Sequence, residues 1–111
     1  MQAAVRRWGP VVAWAAFIFV LSSIPSLGTG LGTWDLVLRK LAHATEFAIL
    51  AALLVRALRE TGWAIAIGIA YAVSDEIHQS FVAGRQGSPW DVAIDSVGVV
   101  VGAVLASRRW T

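Results

Sequence analysis

Ten residues carry the case for chemistry in this chain, their types being ones that move protons or hold anions. They fall in three runs: Lys40, His43 and Glu46; then Asp75, Glu76, His78, Gln79 and Arg85; then Asp91 and Asp95. Carboxylates and imidazoles are the usual agents of general acid–base and nucleophilic catalysis. His43, Glu46, Asp75, Glu76 and His78 are therefore the catalytic candidates. Lys40 and Arg85 can hold a phosphate or pyrophosphate, Arg85 bidentately. Together with Gln79, Asp91 and Asp95 they make up the candidate binding set for an anionic head group. Two histidines and several carboxylates could also supply a metal shell. No H-E-x-x-H or comparable spacing occurs, so no metal ligands are assigned and no cofactor is identified. The remaining alternative is structural. The same groups could form an interhelical network of ion pairs and hydrogen bonds that sets helix register.

The elements that carry these residues are apolar. The chain has 111 residues, of which 58% are hydrophobic and 14% charged. A soluble chain averages about 25% charged. One domain is expected at this length. The net charge of +2 is small, and the basic residues sit at segment ends instead of forming a stripe, which excludes nucleic acid as a partner. There are no cysteines, hence no disulfide and no thiolate site.

Four apolar segments can be drawn: Trp8 to Ile24, Leu36 to Leu58, Trp63 to Val82 and Pro89 to Ala106. A polar stretch from Pro25 to Thr33 separates the first two. Each segment is near the roughly 17–25 residues of a spanning helix. Helices satisfy their own backbone in hydrocarbon, and four strands are too few to close a barrel. Arg6 and Arg7 before the first segment resemble a signal peptide. No clean small-x-small cleavage site follows, and Pro25 sits where cleavage would fall, so retention as a true span is expected. The fold class expected is an all-α integral membrane bundle of four transmembrane helices.

Orientation follows from the basic residues. Arg6, Arg7, Arg56, Arg59, Arg108 and Arg109 share one side of a four-span layout, and Arg39, Lys40 and Arg85 the other. The positive-inside rule puts both termini in the cytoplasm. Trp8, Trp63 and Trp110 then mark the inner interface and Trp34 and Trp90 the outer one, with Trp14 the exception inside a span. This layout brings the start of the second helix, the end of the third and the start of the fourth together. Glu46, Asp75 and Asp95 should reach a similar depth, of order 10 Å below the outer helix ends. Ionisable groups at such a depth are a functional hypothesis by default, here acid–base or nucleophilic work on a lipid-linked or cell-wall substrate.

Helical spacing assigns faces. Tyr71, Ser74, Asp75 and His78 form one stripe, with Glu76 pointing away and Gln79 between; a lipid-facing carboxylate is disfavoured, so this helix is expected to have protein on two sides. Tyr71 and Ser74 read as helix–helix hydrogen-bond partners. Asp91, Asp95, Gly98 and Gly102 form a second stripe. Gly98 and Gly102 make a G-x-x-x-G pair, open to oligomerisation or, as the two aspartates beside it favour, to packing within the bundle. The inner halves of the second and fourth helices, Ala48 to Val55 and Val99 to Ala106, are almost wholly apolar, which disfavours a conducting path.

Three blocks carry a family resemblance. They are Lys40-x-x-His43-x-x-x-Phe47-x-x-Leu50, Asp75-Glu76-x-His78-Gln79-x-Phe81-x-x-Gly84-Arg85, and Asp91-x-x-x-Asp95-x-x-Gly98. Together they resemble the VanZ-like family of small bacterial membrane proteins, over about residues 36–103. The D-E-x-H-Q-x-F run followed by Gly-Arg is its most specific part. Phe47 stands where the family often has Tyr, and Asp95 where it usually has Asn. The resemblance implies a bacterial cytoplasmic-membrane setting and a link to teicoplanin tolerance or to envelope lipid and wall-precursor metabolism. It implies no reaction. The partners expected are the lipid bilayer and a phosphorylated lipid or lipid-linked cell-wall precursor, bound in a polar pocket on the extracytoplasmic side.

Overall fold

The computed structural model describes residues 2–23, 33–82 and 89–110. Four helices follow one another: α1 (Gln2–Ser23), α2 (Thr33–Leu58), α3 (Thr61–Gln79) and α4 (Pro89–Trp110). No strand occurs among the described residues. α1, α2 and α4 are long and apolar enough to cross a membrane. α3 has 19 residues, or about 28 Å of helix, close to a bilayer's hydrocarbon thickness of about 30 Å. Its apolar run is interrupted by Asp75, Glu76, His78 and Gln79 near the C-terminal end.

Helix ends differ from the sequence expectation where local hydrogen bonding decides them. α1 begins at Gln2 instead of Trp8, and α4 continues to Trp110. α3 stops at Gln79 instead of Val82. There Phe81 N–H bonds to the His78 carbonyl (3.1 Å) and Val82 N–H to the Gln79 carbonyl (3.0 Å). Such i→i+3 bonds tighten and end an α-helix. Asp75 thus lies nearer the helix end than the segment boundary implied. The α2–α3 connection is two residues long. Arg59 adopts φ 57°, in the left-handed region, and its N–H closes on the Val55 carbonyl at 2.7 Å. Extended Glu60 then caps α3, its carboxylate accepting from Gly62 N and Trp63 N at 2.7 Å each.

Pro10 lies inside α1. Proline has no N–H, so the Arg6 carbonyl one turn earlier loses its intrahelical donor. Arg56 Nη1 of α2 donates to that carbonyl at 3.1 Å, which ties the start of α1 to the end of α2.

α2 is the central helix. It touches the other three, whereas α1 packs on α2 and α3 and makes no contact with α4 among the described residues. The core is built on Phe47, Leu50, Ala51, Leu54 and Val55 of α2, against Ile18, Ala64, Ala72, Val99 and Ala103. In hydrocarbon, packing closeness takes over from the hydrophobic effect as the force between helices. α4 supplies it with glycines. A Cβ at Gly98 would lie 2.2 Å from the Ala44 carbonyl oxygen, and one at Gly102 2.1 Å from that of Ala48. A Cβ at Gly68 of α3 would meet a methyl of the Val99 side chain at 2.8 Å. The G-x-x-x-G pair is therefore used inside the chain, and α2 fills the face that a second copy would need for contact through these glycines.

The outer faces are apolar. Phe19, Val20, Leu41, Ile77, Phe81, Val97 and Leu105 are all exposed. A soluble monomer does not cover itself with contiguous apolar surface on this scale, whereas lipid tails solvate it. Trp63 and Trp90, exposed at the first turns of α3 and α4, suit the interfacial belt. The side chains of Trp34 and Trp110, and the stretch from Pro25 toward α2, lie outside the described residues.

Replacing Gly by Ala in a helix normally adds about 1 kcal/mol of stability. At Gly98 the sign should reverse. Gly98→Ala is expected to lose about 2 kcal/mol or more through overpacking on the Ala44 carbonyl, measured as reduced resistance to unfolding in detergent.

Candidate functional site

The chain directions put four helix ends together. Ser23 at the C-terminal end of α1 touches His78 near the C-terminal end of α3. Lys40 and His43 of α2 face Asp91 and Asp95 near the start of α4. All the buried polar side chains among the described residues belong to this end of the bundle: Ser22, Asp75, Glu76, Gln79 and Asp95. The convergence expected from the sequence is present.

At the centre, His43, Asp75 and Asp95 each present a ligand atom, and these atoms lie within 4.8 Å of one another. His43 Nδ1 is 3.9 Å from Asp95 Oδ1. The Gln79 amide bridges the group: its Nε2 donates to Ser22 Oγ (3.3 Å) and Asp75 Oδ2 (3.4 Å) and lies 3.5 Å from His43 Nε2. An amide nitrogen has two hydrogens for these three acceptors, so the bonds are shared and long. When His43 Nε2 accepts one of them, the ring proton sits on Nδ1, facing Asp95.

Asp95 is 1% exposed, and neither of its carboxylate oxygens accepts a hydrogen bond from a described residue. Asp75, Glu76, Asp91 and Glu46 all act on it electrostatically. A carboxylate this deep, surrounded by its own kind, is a costly arrangement unless something neutralises it.

Toward the helix ends, Lys40 Nζ pairs with Asp91 Oδ1, both side chains remaining partly exposed. Asp91 also occupies the first turn of α4, where the helix dipole favours a negative charge. Lys40 thus meets any incoming anion already partnered by a carboxylate. Arg85 and Gly84 lie outside the described residues.

The face of α3 is rotated from the one read off the sequence. The buried line runs Ala64, Gly68, Ala72, Asp75, Glu76 and Gln79. Ser74 is exposed and His78 half-buried at the edge, while Glu76, off that stripe and expected to meet protein on a second side of the helix, is 7% exposed. One residue turns a helix by about 100°, and packing α3 against α2 and α4 puts Glu76 inside. On α2 the residue at the centre is His43. Glu46 is half-buried one turn away, and its backbone carbonyl receives the Trp14 indole N–H at 2.9 Å.

α1 completes the site, which three-helix reasoning missed. Ser22 is 1% exposed against Gln79. Ser23 Oγ donates to the Phe19 carbonyl (2.8 Å) and so accepts from His78 Nε2–H at 2.9 Å. Phe19 stacks on the same imidazole, with ring centroids 4.2 Å apart. Tyr71 Oη donates to the Ala15 carbonyl at 2.6 Å, as its reading as a helix–helix partner anticipated. His78 and Tyr71 hold α1 to α3, and Trp14 holds it to α2. The signal available in the sequence was the 3.6-residue line Val11, Ala15, Ile18, Ser22, which ends in a serine on an otherwise apolar helix.

The arrangement defines a class: an apolar helical membrane protein with a single-ended cluster of imidazole, carboxylate and amide groups, able to exchange protons or coordinate a cation. The chain belongs to the VanZ/LLP1 family, whose model matches residues 5–110. No curated protein and no solved structure matches it.

Tyr71→Phe removes the bond to Ala15 without changing volume. It is expected to lower stability by about 0.6 kcal/mol, the mean for interhelical hydrogen bonds in a membrane, and to leave the His43–Asp75–Asp95 group intact, as read by thermal unfolding in detergent with and without the substitution.

Proposed function

We propose that this protein works in the bacterial cell envelope by binding a phosphorylated lipid or a lipid-linked wall precursor in a polar pocket on the extracytoplasmic side, and that this contributes to glycopeptide (teicoplanin) tolerance. The observation that carries the reading is the gathering of all the described buried polar side chains at one end of an otherwise apolar bundle. Lys40, partly exposed at the rim, and Arg85 are the anion contacts, with Asp91 beside Lys40 and the buried Gln79 and Asp95 completing the binding set behind them. His43, Glu46, Asp75 and Glu76 are the groups that exchange protons with the bound head group. His78, expected from the sequence to act with them, is assigned here to holding α1. The distribution of Arg6, Arg7, Arg56, Arg59, Arg108 and Arg109 supports cytoplasmic termini and an outward-facing cluster.

A second reading has its own support. The bonds through Trp14, Tyr71, Ser23 and Gln79 join helices to one another. On this reading the polar set assembles the bundle or a partner interface and transforms nothing.

Asp75→Asn separates the two when membrane accumulation and drug tolerance are measured together. Loss of tolerance by tenfold or so at normal accumulation supports a working site. Loss of both supports scaffolding, and no change in either removes Asp75 from the account. Sidedness has a clean assay, because the chain has no cysteine. Single cysteines introduced by Ser88→Cys and Arg59→Cys should react with a membrane-impermeant thiol reagent from outside and from inside, respectively. The reverse pattern would turn the pocket toward the cytoplasm.

A further inference from the structure

The His43–Asp75–Asp95 group has a property that head-group binding does not use. Its three members come from α2, α3 and α4, and their ligand atoms already lie within 4.8 Å of one another. Asp95 is 1% exposed, with neither oxygen accepting a hydrogen bond from a described residue. The 3.9 Å between His43 Nδ1 and Asp95 Oδ1 is too long for a hydrogen bond. It is within the roughly 4.2 Å that two metal–ligand bonds of about 2.1 Å can span. Small rotamer changes, some tenths of an ångström at each side chain, would close the set on one ion.

We propose that His43, Asp75 and Asp95 bind one divalent transition-metal ion of the zinc or manganese class. Charge supports the assignment. Two carboxylates and a neutral imidazole sum to −2, which a divalent ion cancels, and this removes the penalty of burying Asp95 without a hydrogen-bond donor among the described residues. Ligand type supports it as well. One nitrogen with two oxygens suits Zn²⁺ or Mn²⁺, whereas Ca²⁺ asks for six to eight oxygens and Mg²⁺ prefers to keep its waters. Gln79 adds outer support, since its amide donates to Asp75 Oδ2; such partners orient metal ligands. Three protein ligands leave coordination positions open, as catalytic sites do and purely structural zinc sites do not. His43 and the Lys40–Asp91 pair are partly exposed, which gives the ion a way in.

The test uses the full chain, purified in detergent, stripped with chelator and desalted. Titration with Zn²⁺ and with Mn²⁺, followed by elemental analysis after a second desalting, should give about one ion per chain. Mg²⁺ and Ca²⁺ should not be retained. Asp95→Asn and His43→Gln should each weaken binding by at least about tenfold, while His78→Gln, which alters the other histidine, should keep the ion. A wild-type chain that retains no ion overturns the proposal. Equal retention by wild type, Asp95→Asn and His43→Gln overturns it too. If either variant fails to fold, by helical circular dichroism, the Mn²⁺-loaded wild type decides: spin-echo spectra should contain imidazole nitrogen coupling, and their lack counts against the site. None of these readouts depends on lipid binding or drug tolerance, so this inference and the head-group reading can fail separately.

Discussion

The contact on which the rest depends is the crossing of α4 over α2 at Gly98 and Gly102. With no side chain at either position, the α4 backbone sits on the Ala44 and Ala48 carbonyls. That approach sets the register of two helices running in the same direction. One turn nearer their starts it puts Asp95 against His43, and one turn further Asp91 against Lys40. The apolar contact and the polar one are therefore a single geometric fact. A bulkier residue at Gly98 would open both, so the burial of Asp95 is a consequence of glycine on its own helix, three residues away.

That burial creates the electrostatic problem which the other polar residues partly answer. Five carboxylates, Glu46, Asp75, Glu76, Asp91 and Asp95, crowd into one end of a bundle whose neighbours are lipid. Lys40 settles Asp91 at the rim. Gln79 gives Asp75 a donor and steadies His43. Asp95 receives neither kind of help from the described residues. In a low-dielectric interior such a group must be neutralised by a proton or a cation, because an uncompensated charge costs several kcal/mol. On the proposed readings the buried carboxylate would call for something positive, while the rim would offer an anion Lys40, already paired with Asp91. A phosphorylated head group held beside a cation would satisfy both layers.

Much of this was legible in the sequence because membrane helices obey few rules. Segment lengths near bilayer thickness gave four helices, and an even number of spans brought Lys40, His43, Asp75, Asp91 and Asp95 to one end whatever the side chains did. What was not legible was rotation. The stripe through Tyr71, Ser74 and His78 was centred wrongly because α3 is polar over its last turns, and a 100° step per residue lets either edge pass for the buried face. Ser74, which is exposed, was misplaced for that reason. α1 was overlooked at the site because it carries no ionisable residue near its end, and serine hydroxyls in an apolar run are weak signals until a partner such as Gln79 or His78 is known. The metal-like grouping had no sequence signature at all. Each of its members stands on a different helix, and spacing rules describe ligands on one.

The distribution of polarity along the bundle also bears on what kind of protein this is. Below the cluster, the interior is closed by Leu50, Leu54, Val55, Val99, Ala103 and Ala106, each buried and none able to carry a proton or an ion. Proton relays and ion paths need polar groups or water at every level of the membrane. Here the polar groups stop within the half that contains His43, Asp75 and Asp95, and the other half is packed tightly enough that a glycine backbone touches an alanine carbonyl. The apolar packing of that other half therefore disfavours a conducting path through one chain.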